Sequence, residues 1–152
     1  PSFFMQNWVL YNAPAIKGGQ PVYDNAGSAK LGWVDVRDIA DVAVAALTEA
    51  GHEGRVYDLT GPEPLSYAEV TAKLSSLLGR EVSYVPVPDE AAYQAMTGMG
   101  FPTDYAWALT TLNQLVRRGL ADLTTQTVPL VAGHPARTLD AFLTEAKSAF
   151  QA

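Results

Sequence analysis

Hydrophobic and polar positions follow short registers whose period changes along the chain. The sharpest change lies in residues 31–47, LGWVDVRDIADVAVAAL. Leu31, Trp33, Val34 and Val36 are apolar and rich in β-formers, which predicts a buried strand. Ile39, Ala40, Ala43, Ala46 and Leu47 then share one face at helical spacing. Asp35 stands at the N-cap, where a carboxylate accepts from unpaired first-turn N–H groups and complements the helix dipole. Asp38, three residues on, fits a capping box. The small residues on the helix face predict close packing against a sheet, a strand-turn-helix unit of an α/β protein.

Around this unit the pattern predicts further elements. Residues 1–11 read as a loop entering an amphipathic helix, with Phe4, Trp8 and Tyr11 at i, i+4 and i+7. Residues 12–29 hold Pro14, Gly18, Gly19, Pro21 and Gly27 and predict turns, with Val22 and Tyr23 pairing with residues 30–34 as a hairpin. After a Gly51/Gly54 stop, RVYDL (55–59) alternates like a strand. Ser66 and Glu69 form a capping box for a helix whose face is Tyr67, Val70, Leu74, Leu77 and Leu78 and whose end is Gly79. EVSYVPV (81–87) predicts another strand, near an edge because of Pro86. Asp89 is placed as the cap of a short helix through Met96, broken at Gly98 and Gly100. A helix over 103–118 follows, with Trp107, Leu112, Leu115 and Val116 as packing residues. Residues 120–133 read as irregular, and Thr138 begins a last helix with Leu139, Phe142, Leu143, Ala146 and Phe150 on one side.

Composition narrows the function classes. At 152 residues, 48% apolar and 17% charged, the chain can bury a real core and reads as one folded domain. A net charge of −6 with no basic stripe argues against nucleic acid or an anionic membrane as partner. The lack of cysteine excludes disulfides, thiolate zinc sites and cysteine nucleophiles. No apolar run approaches the roughly 20 residues of a membrane span, so the cytoplasm is the default expectation. His52 and His134 sit beside glycines in turns without ligands at metal spacing in the sequence, and read as solvated loop residues. Asp35, Asp38 and Asp41 read as capping groups and partners of Arg37, with no metal expected. Ser66 lacks the G-x-S-x-G surroundings of a nucleophile and is assigned as a cap.

The run WVDVRDIADVAVAALTEAGHEGRVYDLTGPEPLSYAEV (33–70) resembles the C-terminal half of atypical short-chain dehydrogenases/reductases of the NmrA-like type. In these a [FWV]-x-D-[VA]-x-D-[IV]-A segment precedes a helix, and a T-G-P-E-x-[LY]-[ST] turn leads into the next. PSFFMQNW (1–8) resembles the family's R-P-x-x-F-x-x-N-like stretch beside the nicotinamide. The resemblance implies an α/β fold: the C-terminal portion of a Rossmann-like, NAD(P)-binding fold over residues 1–88, with a mainly helical substrate-side cap over 89–152. The family's glycine-rich G-x-x-G-x-x-G turn, whose helix N-terminus holds the cofactor pyrophosphate, is not found here, nor is a Y-x-x-x-K pair. The hydrophobic opening of the chain agrees with the expectation that a cofactor-binding half lies upstream.

For sites, the resemblance implies that Pro1, Ser2, Phe3 and Phe4 wall a nicotinamide pocket, the alternative being a helix start packed on the core. Asn7, Trp8, Met96, Met99, Phe101, Tyr105 and Trp107 are candidate substrate contacts, since pockets are mostly apolar and aromatic and a Gly-Met-Gly break fits a mobile lid. Core packing is the other reading of those side chains. No catalytic residue can be named. The intact protein is then expected to use NAD(P) to reduce a small carbonyl or quinone-like acceptor, while this chain alone binds no cofactor and is inactive. A non-enzymatic dinucleotide-linked redox sensor and a standalone association module are the rivals. The expected partners are a small-molecule substrate and either a second copy or a chain supplying the other half.

Overall fold

The computed structural model describes residues 3–151. The change of period at residues 34–36 is where extended chain becomes helix. Val34 forms a parallel bridge with Phe4, with Val34 N–H donating to the Phe3 carbonyl (2.8 Å) and Met5 N–H to the Val34 carbonyl (2.9 Å). Leu31 exchanges both backbone bonds with Leu65 in an antiparallel bridge. These single bridges stand where the sequence predicts a strand. Helix α2 (Val36–Thr48) follows at once, capped by Asp35, whose carboxylate accepts from Arg37 N–H.

The expected hairpin is not formed. Strand β1 (Val22–Asp24) instead pairs in parallel with strand β2 (Tyr84–Pro86), in the register Val22 with Tyr84 and Asp24 with Pro86. Residues 30–34 take their bridges from Phe4 and Leu65. Parallel pairing requires a long crossover, which here includes α2 and helix α3 (Tyr67–Leu78). The expected strand at 55–59 is likewise absent. Leu59 is buried, but Val56 is 89% exposed, so alternation occurs without a ladder partner.

At the start of the described chain, Phe4, Trp8 and Tyr11 do not share one face. Trp8 is fully buried while Tyr11 is mostly exposed, and Met5 takes the inner place. The segment is a π-helical turn (Trp8–Asn12) running into helix α1 (Ala13–Lys17), with Pro14 in its first turn. Proline's lack of an N–H and its fixed φ suit that position, so Pro14 opens a helix in a stretch expected to hold turns.

Helix α3 matches its signals closely. Ser66 Oγ accepts from Glu69 N–H, Glu69 accepts from Ser66 N–H, and Gly79 ends the helix with φ +67°. Helix α4 (Asp89–Gly98) has Pro88 at its cap, so Asp89 is its first residue and its carboxylate is used elsewhere. Helix α5 (Thr103–Arg117) is followed by a second π-helical turn (Val128–Ala132), in a stretch expected to be irregular. Helix α6 (Leu139–Glu145) is capped by Thr138 and passes into a 3₁₀ turn (Lys147–Phe150).

The main core joins Trp8, Ile16, Val22, Leu31, Trp33, Val70 and Leu74 to Leu139, Leu143 and Phe150, with α6 packed on α3 and the final 3₁₀ turn against α1. Arg80 ties these ends together by donating to the carbonyls of Ile16 (2.7 Å) and Phe150 (3.2 Å). A smaller core packs Val42 of α2 against Leu59 and Val128. Two glycines are set by close backbone approach. A Cβ on Gly32 would lie 2.7 Å from the Leu123 carbonyl oxygen, and one on Gly61 would overlap the Trp33 carbonyl.

Candidate functional site

The tight packing at Gly32 and Gly61 brings segments 58–61 and 120–123 close to Phe3. Between them and α5 lies an open groove of about 420 Å³. It is lined by Phe3, by Asp58, Leu59 and Thr60, by Leu112, Leu115 and Val116 of α5, and by Leu120, Ala121 and Leu123. The lining is mainly aliphatic with a few polar atoms at one side, the usual make-up of a small-molecule site. Thr60 is fixed in place: its hydroxyl donates to the Gly61 carbonyl (3.0 Å) and accepts from Thr125 N–H (2.8 Å). Phe3 rests edge-on against Trp33, with ring centroids 5.9 Å apart.

The residues expected at a site are only partly brought together. Pro1 and Ser2 lie outside the described residues. Phe3 lines the groove, whereas Phe4 is an adjacent bridge residue, 36% exposed. Trp8 has no exposed surface and packs on Trp33 (5.6 Å) and Tyr67 (5.2 Å), so it serves the core. Asn7 is half-buried at the start of the first helical turn. Met96, Met99, Phe101, Tyr105 and Trp107 belong to the α4–α5 hairpin and are absent from the groove lining. Phe101 stacks on Tyr105 (5.8 Å), and Met99 and Trp107 are largely exposed.

The groove residues that sequence reasoning missed left two signals. Leu112, Leu115 and Val116 read as packing, yet α5 buries only Ala106, Thr110 and Val116. Leu120 and Leu123 sit in a stretch with no helical period, where large apolar side chains have no local reason.

A second, polar constellation gathers at the carboxyl ends of the parallel strands, where open α/β sheets carry their ligands. Asp24 ends β1. Its carboxylate accepts from Ala26 N–H (2.7 Å) and from Asn113 Nδ2 of α5 (3.2 Å). Burial pushes the Asp24 carboxyl above the usual carboxylate range, against the lowering pull of Ala26, Asn113, the Tyr67 hydroxyl and Arg117. Burial, with Asp24 nearby, likewise drives Tyr67 well above the ordinary phenol and pushes Tyr84 up to about 12. The buried Asn25 donates to Asp89 (2.9 Å), which also receives both ends of the Arg117 guanidinium (2.8 and 2.9 Å). Arg117 foremost, then Asn25 and Gln114, hold Asp89 down at about 2.

The third cluster corrects the expectation for the α2 carboxylates. Arg37 pairs with Asp35 and Glu145, but not with Asp38 or Asp41. Asp38 makes no capping box; it is buried and accepts from the backbone and guanidinium of Arg137, which also reaches Asp41 (2.8 Å). His134 Nε2 lies 3.1 Å from Asp41, so it has a carboxylate partner that the sequence spacing hid. Asp38, Asp41 and His134 are close enough to hold a cation, and the Arg137 guanidinium already fills that role. His52 pairs with the Tyr57 hydroxyl (2.7 Å) and not with a carboxylate. At Asp35, burial acts to raise the carboxyl, but Arg37 and Gln6 outweigh it and hold it below its usual range.

Among the described residues, no helix is long and apolar enough to cross a membrane. No family model matches the chain. It is 47% identical over 152 residues to an NAD(P)H azoreductase of Xenophilus azovorans, matching all of this chain and 53% of that protein. Among solved structures, it superposes with a TM-score of 0.86 on an Escherichia coli NADPH-dependent quinone oxidoreductase complexed with NADPH. That match is 26% identical and covers 96% of this chain and 51% of the other. A Citrobacter triphenylmethane reductase complexed with NADP(H) matches at 25% identity and TM-score 0.81, covering 95% and 50%. The fold is thus the α/β, Rossmann-like architecture of NAD(P)-binding reductases. The chain spans about half the length of the curated relatives it matches.

Proposed function

We propose that, with relatives and structural neighbours that are NAD(P)H-dependent reductases, this chain is the substrate-side, C-terminal portion of such an enzyme, of the NmrA-like type. In the complete protein a bound nicotinamide would supply hydride to a small carbonyl or quinone-like acceptor. The observation that carries this reading is the groove beside Phe3, in the stretch that resembles the family's nicotinamide wall.

The groove suits one end of the cofactor and not the other. Its aliphatic walls and the Phe3 ring fit a flat, weakly polar ring system. The pyrophosphate needs a cradle of backbone N–H groups or cations. Among the described residues no cationic side chain lines the groove, and the sequence carries no glycine-rich turn. This chain's own part is therefore to bind and orient. Phe3 and the α5 leucines offer the ring an apolar face, Asp58 is the exposed polar side chain of the lining, and Thr60, its proton given to the Gly61 carbonyl, braces the wall. The cradle would come from a cofactor-binding half, in the same polypeptide or in a partner, or else the exposed faces pair two copies of this chain.

Calorimetric titration of the chain with NADPH and with menadione tests the reading. Menadione should bind, and NADPH should bind more weakly than about micromolar, the anion cradle being absent. Tight NADPH binding would show that the chain holds a pyrophosphate site of its own. No menadione binding, with or without NADPH, would remove the groove as an acceptor site.

A further inference from the structure

Helix α5 forms a groove wall and also carries a set of polar anchors. Leu112, Leu115 and Val116 line the groove. The residues between and after them, Asn113, Gln114 and Arg117, reach to the end of β1 and the start of α4 instead. Asn113 Nδ2 donates to Asp24 (3.2 Å) and to the Asn25 side chain. Gln114 Nε2 donates to Asp89 (3.0 Å). Arg117 grips Asp89 with both Nη atoms and also donates to the Asn25 carbonyl. Asn25 closes the set by donating to Asp89 and to the Thr110 carbonyl (3.4 Å). Asp89 thereby accepts from three side chains drawn from the β1 end and α5, and its ionised state suits a charge-assisted fork.

The rest of the hairpin has little other attachment. Helix α4 buries none of its residues, and its packing partner is α5. The two helices meet through Gly98 and Gly100, the latter with φ +90°. The first half of α5 buries only the small Ala106 and Thr110 and leaves Tyr105 and Trp107 exposed. Apolar surfaces can slide across one another, whereas a bidentate guanidinium–carboxylate pair has one good geometry. The polar set therefore fixes, together with Val116 in the main core, where the groove-lining half of α5 sits.

We infer that Asp89 and Arg117 are a latch that sets the width of the groove, and so the size of ring system it accepts, by fixing helix α5 against the carboxyl end of β1. They act as positioning residues, for neither lines the groove. The size-selecting part rests on the groove being the acceptor site; the latch itself does not.

The test uses the whole chain and compares two probes, menadione and the larger anthraquinone sulfonate. Wild type should favour menadione. Asp89→Asn and Arg117→Lys should each shift the ratio of the two dissociation constants toward the larger ring by about tenfold, and Asp89→Glu, which keeps the fork, should restore it. A ratio unmoved in both variants, or both constants weakened equally, overturns size selection and leaves only a structural staple. If wild type binds neither probe, the groove reading fails and size selection with it. Amide hydrogen exchange then judges the latch alone. Faster exchange confined to residues 89–117 in Asp89→Asn, with α3 unchanged, supports it, and unchanged exchange there overturns it.

Discussion

Asp24 places an ionisable carboxyl at the end of a strand, beneath two tyrosines, with its nearest cation already shared with Asp89. Burial raises its pKa, and that has a definite sign for stability. A group that binds its proton more tightly when folded contributes stability below its unfolded value, near 3.8, and loses it as pH rises through the raised folded value. Asp24→Asn keeps an acceptor for Ala26 N–H and cannot ionise. The variant should match or exceed wild type in urea midpoint at neutral pH, and its relative advantage should shrink as pH falls toward 3.8. An advantage that grows on acidification would show that the ionised carboxylate is the favoured folded form. Asp35 runs the other way, because Arg37 and Gln6 lower its pKa. Its contribution is present above its unfolded value and fades as pH falls through the folded one. Two carboxyls of equal sequence appearance thus have opposite pH behaviour, and only their partners tell them apart.

At the scale of elements, most caps were legible, those expected of Asp89 and of the Asp38 box excepted. Ser66 with Glu69, Gly79 and Thr138 all act where their spacing places them, since a cap joins residues about three apart and the chain itself supplies the geometry. Strand partners were not legible. Val22 and Tyr23 alternate as well for a hairpin as for the parallel pairing with Tyr84 and Val85 that is formed. The approach of segments 31–34, 58–61 and 120–123 is equally hidden in the sequence, though two glycines mark it. Gly61→Ala must push the Trp33 backbone aside and should cost about 1–3 kcal/mol or more, read as a lowered urea midpoint. Gly98→Ala meets open space at a position with ordinary φ and should be neutral or stabilising by about 0.4–1 kcal/mol. Equal effects from the two substitutions would mean that the close contact at Gly61 is relieved cheaply.

For the whole molecule, the exposed apolar side chains form the largest open account. Leu10, Tyr11, Val44, Leu47, Val56 and Leu130 are each at least 60% exposed, and the sheet has two strands with both outer edges unpaired by named strands. Each such side chain forgoes roughly 1.5–3 kcal/mol of burial, and unpaired edges invite another chain. The polypeptide should therefore associate with itself at low micromolar concentration, seen as species heavier than 16.3 kDa in sedimentation. A monodisperse monomer at that concentration would show that these side chains need no cover.

By itself, the sequence determined the α/β class, helices α2, α3, α5 and α6, and the stop at Gly79. Helical period and caps act between residues up to four apart, so the local chain carries the helices themselves, although α2 turns Asp38, Val42 and Ala45 inward and leaves Leu47 of the expected face 86% exposed. It also showed the resemblance to NAD(P)-linked reductases, through motifs that mostly shape turns and helix starts. Tertiary structure decided what each strand pairs with, that Asp38 meets Arg137 and not its own helix end, and that Trp8 is core. It also decided that Phe3, α5 and the 120–123 segment line one groove. Those contacts join positions tens of residues apart, and no local periodicity constrains them. They exist because one closed arrangement buries the apolar faces and partners nearly all the buried polar side chains, the Trp8 indole N–H excepted.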